Sequence, residues 1–267
     1  MNIFQVDAFT HQPFAGNPAG VCLLETEKPE AWMQGIAAEM NLSETAFLLK
    51  IKDYPGFQLR WFTPTTEVSL CGHATLASAH ILWEESILKK GEQAIFHTRS
   101  GILRAEKQAG WIEMVFPLRK VESIPHDPVL SKALGANPRF TGKFISDGKP
   151  LYLMELESDE EVMELQPDFR MLGESDALAV MVTALSSTSG YDFVSRFFAP
   201  AVGIDEDPVT GSAHCYLAPY WADKLGEMEL TGYQASKRGG IVRCKLAENQ
   251  VLLKGQAITI FRGNLNL

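Results

Sequence analysis

The feature that most limits how this chain can fold is an internal repeat. Arg60-Trp61-Phe62-Thr63-Pro64 is echoed by Arg196-Phe197-Phe198-Ala199-Pro200. Each is a run of aromatic and β-forming residues closed by a proline, which reads as a short strand. Each is followed, past an acidic polar loop, by small residues opening a helix: Gly72-His73-Ala74-Thr75 in one copy, Gly211-Ser212-Ala213-His214 in the other. The strand signals Gly101–Ala105 and Gly240–Cys244 then stand at equal distances, since 101 − 72 and 240 − 211 are both 29. Upstream, Pro29–Met40 then Thr45–Leu49 has the same helix-then-strand order as Pro167–Leu172 then Ala177–Val182. Repeats of this length are supersecondary units whose packing decides the fold.

Each half therefore reads as a hairpin, a helix, two strands, a second helix and a closing hairpin. The closing strands fall near Gly110–Phe116 and Gln250–Phe261. The second helices, about Gly72–Glu85 and Gly211–Leu225, lack a polar stripe, and a helix apolar on every face is a buried one. The expected fold is α+β: two pseudo-symmetric half-domains, each an antiparallel barrel-like sheet wrapped around a central helix. Proline, charge and serine in Pro117–Pro128 place the junction, giving an N-terminal half-barrel over 1–116 and a C-terminal one over 117–267. The last strand is a candidate to pack on the first domain. Tyr152, Met154 and Met181 read as core.

Composition excludes several classes of function. A net charge of -9, with Lys237-Arg238 the densest basic stretch, disfavours nucleic acid. No apolar run approaches the roughly 18 residues that span a bilayer; Leu70–Trp83 is broken by Gly72, two histidines and a serine. The Met1–Ala19 opening lacks a signal-peptide pattern, so a cytoplasmic location is expected. Cys22, Cys71, Cys215 and Cys244 have no CxxC or metal-ligand spacing and read as free thiols.

Chemistry is expected at the two glycine-led helix starts. A helix N-terminus carries unpaired N–H groups and the positive end of the dipole, which favour an anion. Gly72 and Gly211 would let a ligand approach the backbone closely, although tight turns alone would also use them. Glu44, entering an apolar strand, is a candidate acid/base; a surface glutamate is the plain alternative. His73 could relay a proton or simply pack, and Asp207 could equally close an Asx turn. Two facing thiols would make a racemase, but the position mirroring Cys71 is Thr210, which cannot serve as a low-pKa base. That asymmetry argues against a two-thiol mechanism.

Five ordered segments resemble the phenazine-biosynthesis PhzF-like family: Val6–Thr10 with Phe14–Ala19, Asn41–Thr45, Arg60–Pro64, Leu70–Thr75 and Glu206–Ala213. The middle, about Val121 to Ser175, matches poorly. The resemblance implies a diaminopimelate-epimerase-like fold, a homodimer, and no metal or organic cofactor. It implies that Glu44 acts as acid and base, as its counterpart does on a dihydro-hydroxyanthranilate ring in the family's isomerase. It further implies that His73, Asp207 and Ser212 line the site and that backbone N–H groups such as Gly72's hold polar substrate groups. Asn17, Thr210 and Gly211, within the matching segments, complete the candidate substrate-binding set. The leading expectation is a cofactor-independent isomerase acting on a small anionic, carboxylate-bearing substrate between the halves. The alternatives are a racemase or epimerase using Cys71 with a non-thiol partner, and a ligand-binding protein without catalysis.

Overall fold

The computed structural model describes residues 1–146 and 148–266, which divide into two compact units. Unit 1 comprises Met1–Val115 together with the chain from Leu252 onward; unit 2 is Phe116–Val251.

In the first unit a hairpin, β1 (Asn2–Ala8) and β2 (Asn17–Leu24), leads to α1 (Glu30–Met40) and then to β3 (Glu44–Lys50) and β4 (Phe57–Phe62). A two-residue β5 (Glu67–Val68) precedes α2 (Gly72–Glu84), and the meander β6 (Ala94–Thr98), β7 (Gly101–Gln108) and β8 (Trp111–Pro117) follows. The second unit begins with β9 (Glu122–Ser123), α3 (Pro128–Leu134) and the hairpin β10 (Phe140–Ser146) and β11 (Lys149–Glu155). Two short helices, α4 (Asp159–Glu164) and α5 (Phe169–Glu174), stand where α1 stands in the first unit. Then come β12 (Ala179–Leu185), β13 (Phe193–Phe198), α6 (His214–Leu225), β14 (Glu229–Gln234), β15 (Gly240–Ala247) and β16 (Gln250–Gly255). β17 (Ala257–Asn264) pairs antiparallel with β1.

The repeat is present in the strand pairing. β1–β2 is antiparallel, β2–β3 parallel, β3–β4 antiparallel, β4–β6 parallel and β6–β7 antiparallel. The series β10–β11, β11–β12, β12–β13, β13–β14 and β14–β15 runs through the same five relations. A parallel pair needs a crossover, and a helix fills each one. The repeated arginines also do the same work twice. Arg60 clasps Glu67 with two hydrogen bonds of 2.7 Å while its guanidinium lies over Phe62. Arg196 clasps Glu206 at 2.7 and 2.9 Å over Phe198.

α2 is buried from His73 to Leu82 and packs against β1, β2, β3 and β17. Its polar Thr75 and Ser78 return hydrogen bonds to the carbonyls of Cys71 and Ala74, at 2.6 and 2.7 Å, so burial leaves neither hydroxyl unpaired. Met33, Ile36 and Ala37 of α1 close the other side of that sheet over Phe47 and Phe62. Tyr152, Met154 and Met181 are all core, 2% exposed or less.

Two expectations are corrected. α6 begins at His214, not Gly211: Gly211–Ala213 wind into tighter turns in which His214 and Cys215 donate to the carbonyls three residues back, each at 3.1 Å. The stretch Gln250–Phe261 is two strands, broken where the carbonyl of Gln256 accepts from Thr10 N instead of continuing the ladder.

Candidate active site

Parallel pairing of β2 and β3 brings Asn17 and Glu44, the first residue of each strand, to one edge of the first unit's sheet. The reversal into β3 is made by Asn41, whose left-handed backbone (φ 47°) ends α1 with its N–H on Ala37 O. On the other side Cys71 is extended (φ −145°) and α2 begins directly at Gly72 without a side-chain cap. The first-turn N–H groups and the dipole's positive end are thus presented beside Glu44.

His73 joins these elements. Its Nε2 lies 3.1 Å from Glu44 Oε2, and its Nδ1 lies 3.2 Å from Asn17 Nδ2. Ser43 Oγ donates to Asn17 Oδ1 at 3.1 Å. Cys71 Sγ flanks the ring, 3.5 Å from Nδ1. The carboxylate of Glu44 is the accessible end of this chain, with a side chain 14% exposed against 6% for His73 and none for Asn17. Asn17 therefore sits buried behind the imidazole.

Charge is unevenly distributed over this group. Burial works against an imidazolium at His73, but the Cys71 sulfur where it is ionised, and the Glu44 carboxylate throughout, act the other way and hold His73 well above its ordinary pKa. Burial first, then the charge of Glu44, pushes the Cys71 thiol up to about 11. Near neutral pH the sulfur is thus a protonated thiol, and Glu44 is the charge that His73 faces. A thiol in that state is a poor base. Glu44, Cys71 and His73 also offer three donor atoms within 4.8 Å of one another. Both ring nitrogens of His73 are engaged, by Asn17 and by Glu44, so a cation would have to displace those hydrogen bonds and the thiol proton. The arrangement suits proton transfer better than metal ligation.

The second unit holds a polar group of its own. Thr210 Oγ1 donates a short hydrogen bond to Asp207 Oδ2. Gln234, fully buried on β14, accepts from Thr210 N at 2.8 Å and donates to Asp207 O at 2.8 Å. His214 Nδ1 lies 2.9 Å from Thr210 O. Gly211 is buried in the turn before α6, while Ser212 is exposed and its side chain, among the described residues, does not join this network. Gln234, Ser43 and His214 escaped sequence reasoning as site residues. Gln234 lies 24 residues from Thr210 and carries no motif.

A concavity of about 730 Å³ elsewhere on the first unit, lined by Lys50, Gln58, Arg60, His97 and Arg99, shares no residue with the Glu44 group. Its arginines are already paired with Glu30 and Glu67.

A family model described as phenazine biosynthesis-like protein, PhzC-PhzF, matches residues 6–263. The chain belongs to that family. It is similar to a Halalkalibacterium halodurans protein named an uncharacterized isomerase, 51% identical over 99% of this chain and 98% of the relative. An Enterococcus faecalis PhzF-family crystal structure superposes with a TM-score of 0.91 at 40% identity, covering 100% of this chain and 99% of that one. A hydroxyproline epimerase of Agrobacterium vitis, 11% identical, aligns with a TM-score of 0.61 over 98% of this chain and 91% of its own, a likeness of fold alone. The fold is of the diaminopimelate-epimerase-like type, and the function that the PhzC-PhzF relatives support is of the isomerase or epimerase type. Among the described residues no helix is long and apolar enough to cross a membrane.

Proposed function

We propose that this PhzC-PhzF protein is a cofactor-independent isomerase in which Glu44 takes a proton from one carbon of a small carboxylate-bearing substrate and returns it to another. The observation that carries the reading is the contact of 3.1 Å between the accessible carboxylate of Glu44 and His73 Nε2. A carboxylate oxygen at the edge of a buried polar group can reach a substrate carbon, while the imidazole behind it steadies its charge in either protonation state. The proton removed from carbon resides on Glu44, and the electron pair moves into the substrate's conjugated system until the second carbon is protonated. The uncapped start of α2 at Gly72 supplies N–H groups for a substrate carboxylate. Substrate-binding roles for Asp207, Thr210, Gly211 and Ser212, and a homodimeric assembly, are further parts of the proposal. Both assignments rest on the family resemblance.

The alternative in which Cys71 is the base is disfavoured by its elevated pKa. The test is incubation with a panel of small carboxylates in D2O, scored for deuterium entering carbon. Enzyme-dependent labelling that disappears in Glu44→Gln supports the proposal. Labelling that survives in Glu44→Gln contradicts it, and binding without any labelling indicates a ligand-binding protein.

A further inference from the structure

Behind the Glu44–His73 pair lies a fully buried amide, and the chemistry of that amide has a consequence of its own. Asn17 is 0% exposed, with Nδ2 3.2 Å from His73 Nδ1 and Oδ1 3.1 Å from Ser43 Oγ. With Nδ2 turned to Nδ1, Asn17 can donate only to a neutral ring, one that carries its proton on Nε2 and donates it to Glu44. An imidazolium has N–H on both nitrogens, and its Nδ1–H would then oppose an N–H of the amide. The two ends of a carboxamide are nearly isosteric, so a half-turn of the side chain brings Oδ1 to Nδ1–H. Nδ2 then donates to Ser43, whose hydroxyl can accept as readily as it donates. The Cys71 sulfur, 3.5 Å from Nδ1, is a weak donor and a weak acceptor and does not decide between the two arrangements. The neutral tautomer with its proton on Nδ1 fits neither arrangement well, because its bare Nε2 would face the Glu44 carboxylate.

The geometry points to Asn17, backed by Ser43, as a positioning residue whose reversible amide keeps His73 Nε2–H directed at Glu44 in both protonation states of the ring. This inference rests on reading Glu44 and His73 as the proton-handling pair. It gives a fully buried amide a role beside the ring. A carboxylate there would fix His73 as the imidazolium, and an apolar group would withdraw the acceptor that the imidazolium needs. The charged or titratable groups facing His73 are Glu44 from β3 and Cys71 preceding α2, so the effect of residue 17 can be read against a small, fixed background.

The test follows the ring directly, by long-range proton–nitrogen NMR of 15N-labelled protein from pH 5 to 10. In the unmodified protein the side-chain amide resonances of Asn17 are expected to move with the same midpoint as the His73 ring. Asn17→Asp should raise the His73 midpoint and Asn17→Leu should lower it, each by about one unit or more, a tenfold change in proton affinity. A role confined to packing predicts no shift for Asn17→Leu, the variant that adds no charge. Shifts of the same sign in two folded variants would overturn the inference. So would Asn17 amide signals that stay fixed while His73 titrates, a result that needs no variant and stands even if Asn17→Leu fails to fold. Because titration is read without turnover, this inference and the isomerase reading fail separately: loss of labelling in Glu44→Gln concerns only the latter.

Discussion

Replacing His214 by Gln should flatten the acid limb of this protein's stability. His214 is fully buried, its Nδ1–H donates to Thr210 O at 2.9 Å, and its Nε2 has no hydrogen-bond partner among the described residues. The ring packs against Phe193 at 5.8 Å, and the Gly232 backbone passes close to Nε2. Burial therefore lowers the pKa from 6.5 to about 4, outweighing the favourable bond to Thr210 O. A group whose folded pKa is depressed in this way is neutral in the fold, while the unfolded chain takes up a proton below about 6.5. Its contribution is fully present above that pH, is lost as pH falls towards 4, and is constant below. The whole loss is ~3 kcal/mol, and at pH 5.5 it is already on the order of 1 kcal/mol. Glutamine keeps an N–H that can reach Thr210 O and does not titrate. Urea unfolding of both proteins at pH 7.5 and 5.5 isolates the residue, because His73 and His80 titrate alike in each and cancel in the difference. The unmodified protein should lose on the order of 1 kcal/mol more than His214→Gln between the two pH values. Parallel losses would refute the claim that His214 is held neutral by burial.

Other outcomes follow from the same reasoning. Arg196→Met should destabilise by about 3 kcal/mol or more, since it strands Glu206 and three carbonyls at Val162, Met163 and Leu165. The repeat-equivalent Arg60→Met should cost about 1 kcal/mol, because Arg99 also pairs with Glu67; equal losses in urea unfolding would contradict this. With its thiol raised from 9.0 to about 11, Cys71 should alkylate about 100-fold more slowly than an ordinary thiol, read by mass spectrometry under native conditions. Cys71→Ser should keep solvent labelling within a few-fold, and its loss would restore the thiol-based alternative. Gly232→Ala would place a Cβ 2.5 Å from the Phe193 ring. It should lower stability by about 1–3 kcal/mol in a thermal melt.

Much of the fold was legible because the duplication left chemically demanding residues in place. Arg60 and Arg196 each have to find a carboxylate and an aromatic face, so the segments around them kept their spacing to the following helix and strand. The start of α6 was not legible. Small residues at Gly211–Ala213 are compatible with either an α-turn or a tighter one, and the hydrogen bonds that decide between them involve no side chain. Within the site, Glu44 and His73 were readable from their segments, and their contact arises from parallel pairing of β2 with β3 beside the start of α2. Asn17 was legible from its segment, but its contact with His73 was not, because sequence shows that an amide is present and not what it faces. Gln234 gave no signal, since a buried glutamine at a strand end is recognised only by the groups that it satisfies.

The central claim, that Glu44 carries the proton, is tested most directly by solvent deuterium entry into a bound substrate, measured by NMR for the unmodified protein and Glu44→Gln at matched occupancy. The account predicts carbon labelling in the first and a loss of at least about 100-fold in the second, with substrate affinity retained, as removal of a general base requires. Labelling at the unmodified rate in Glu44→Gln would contradict it.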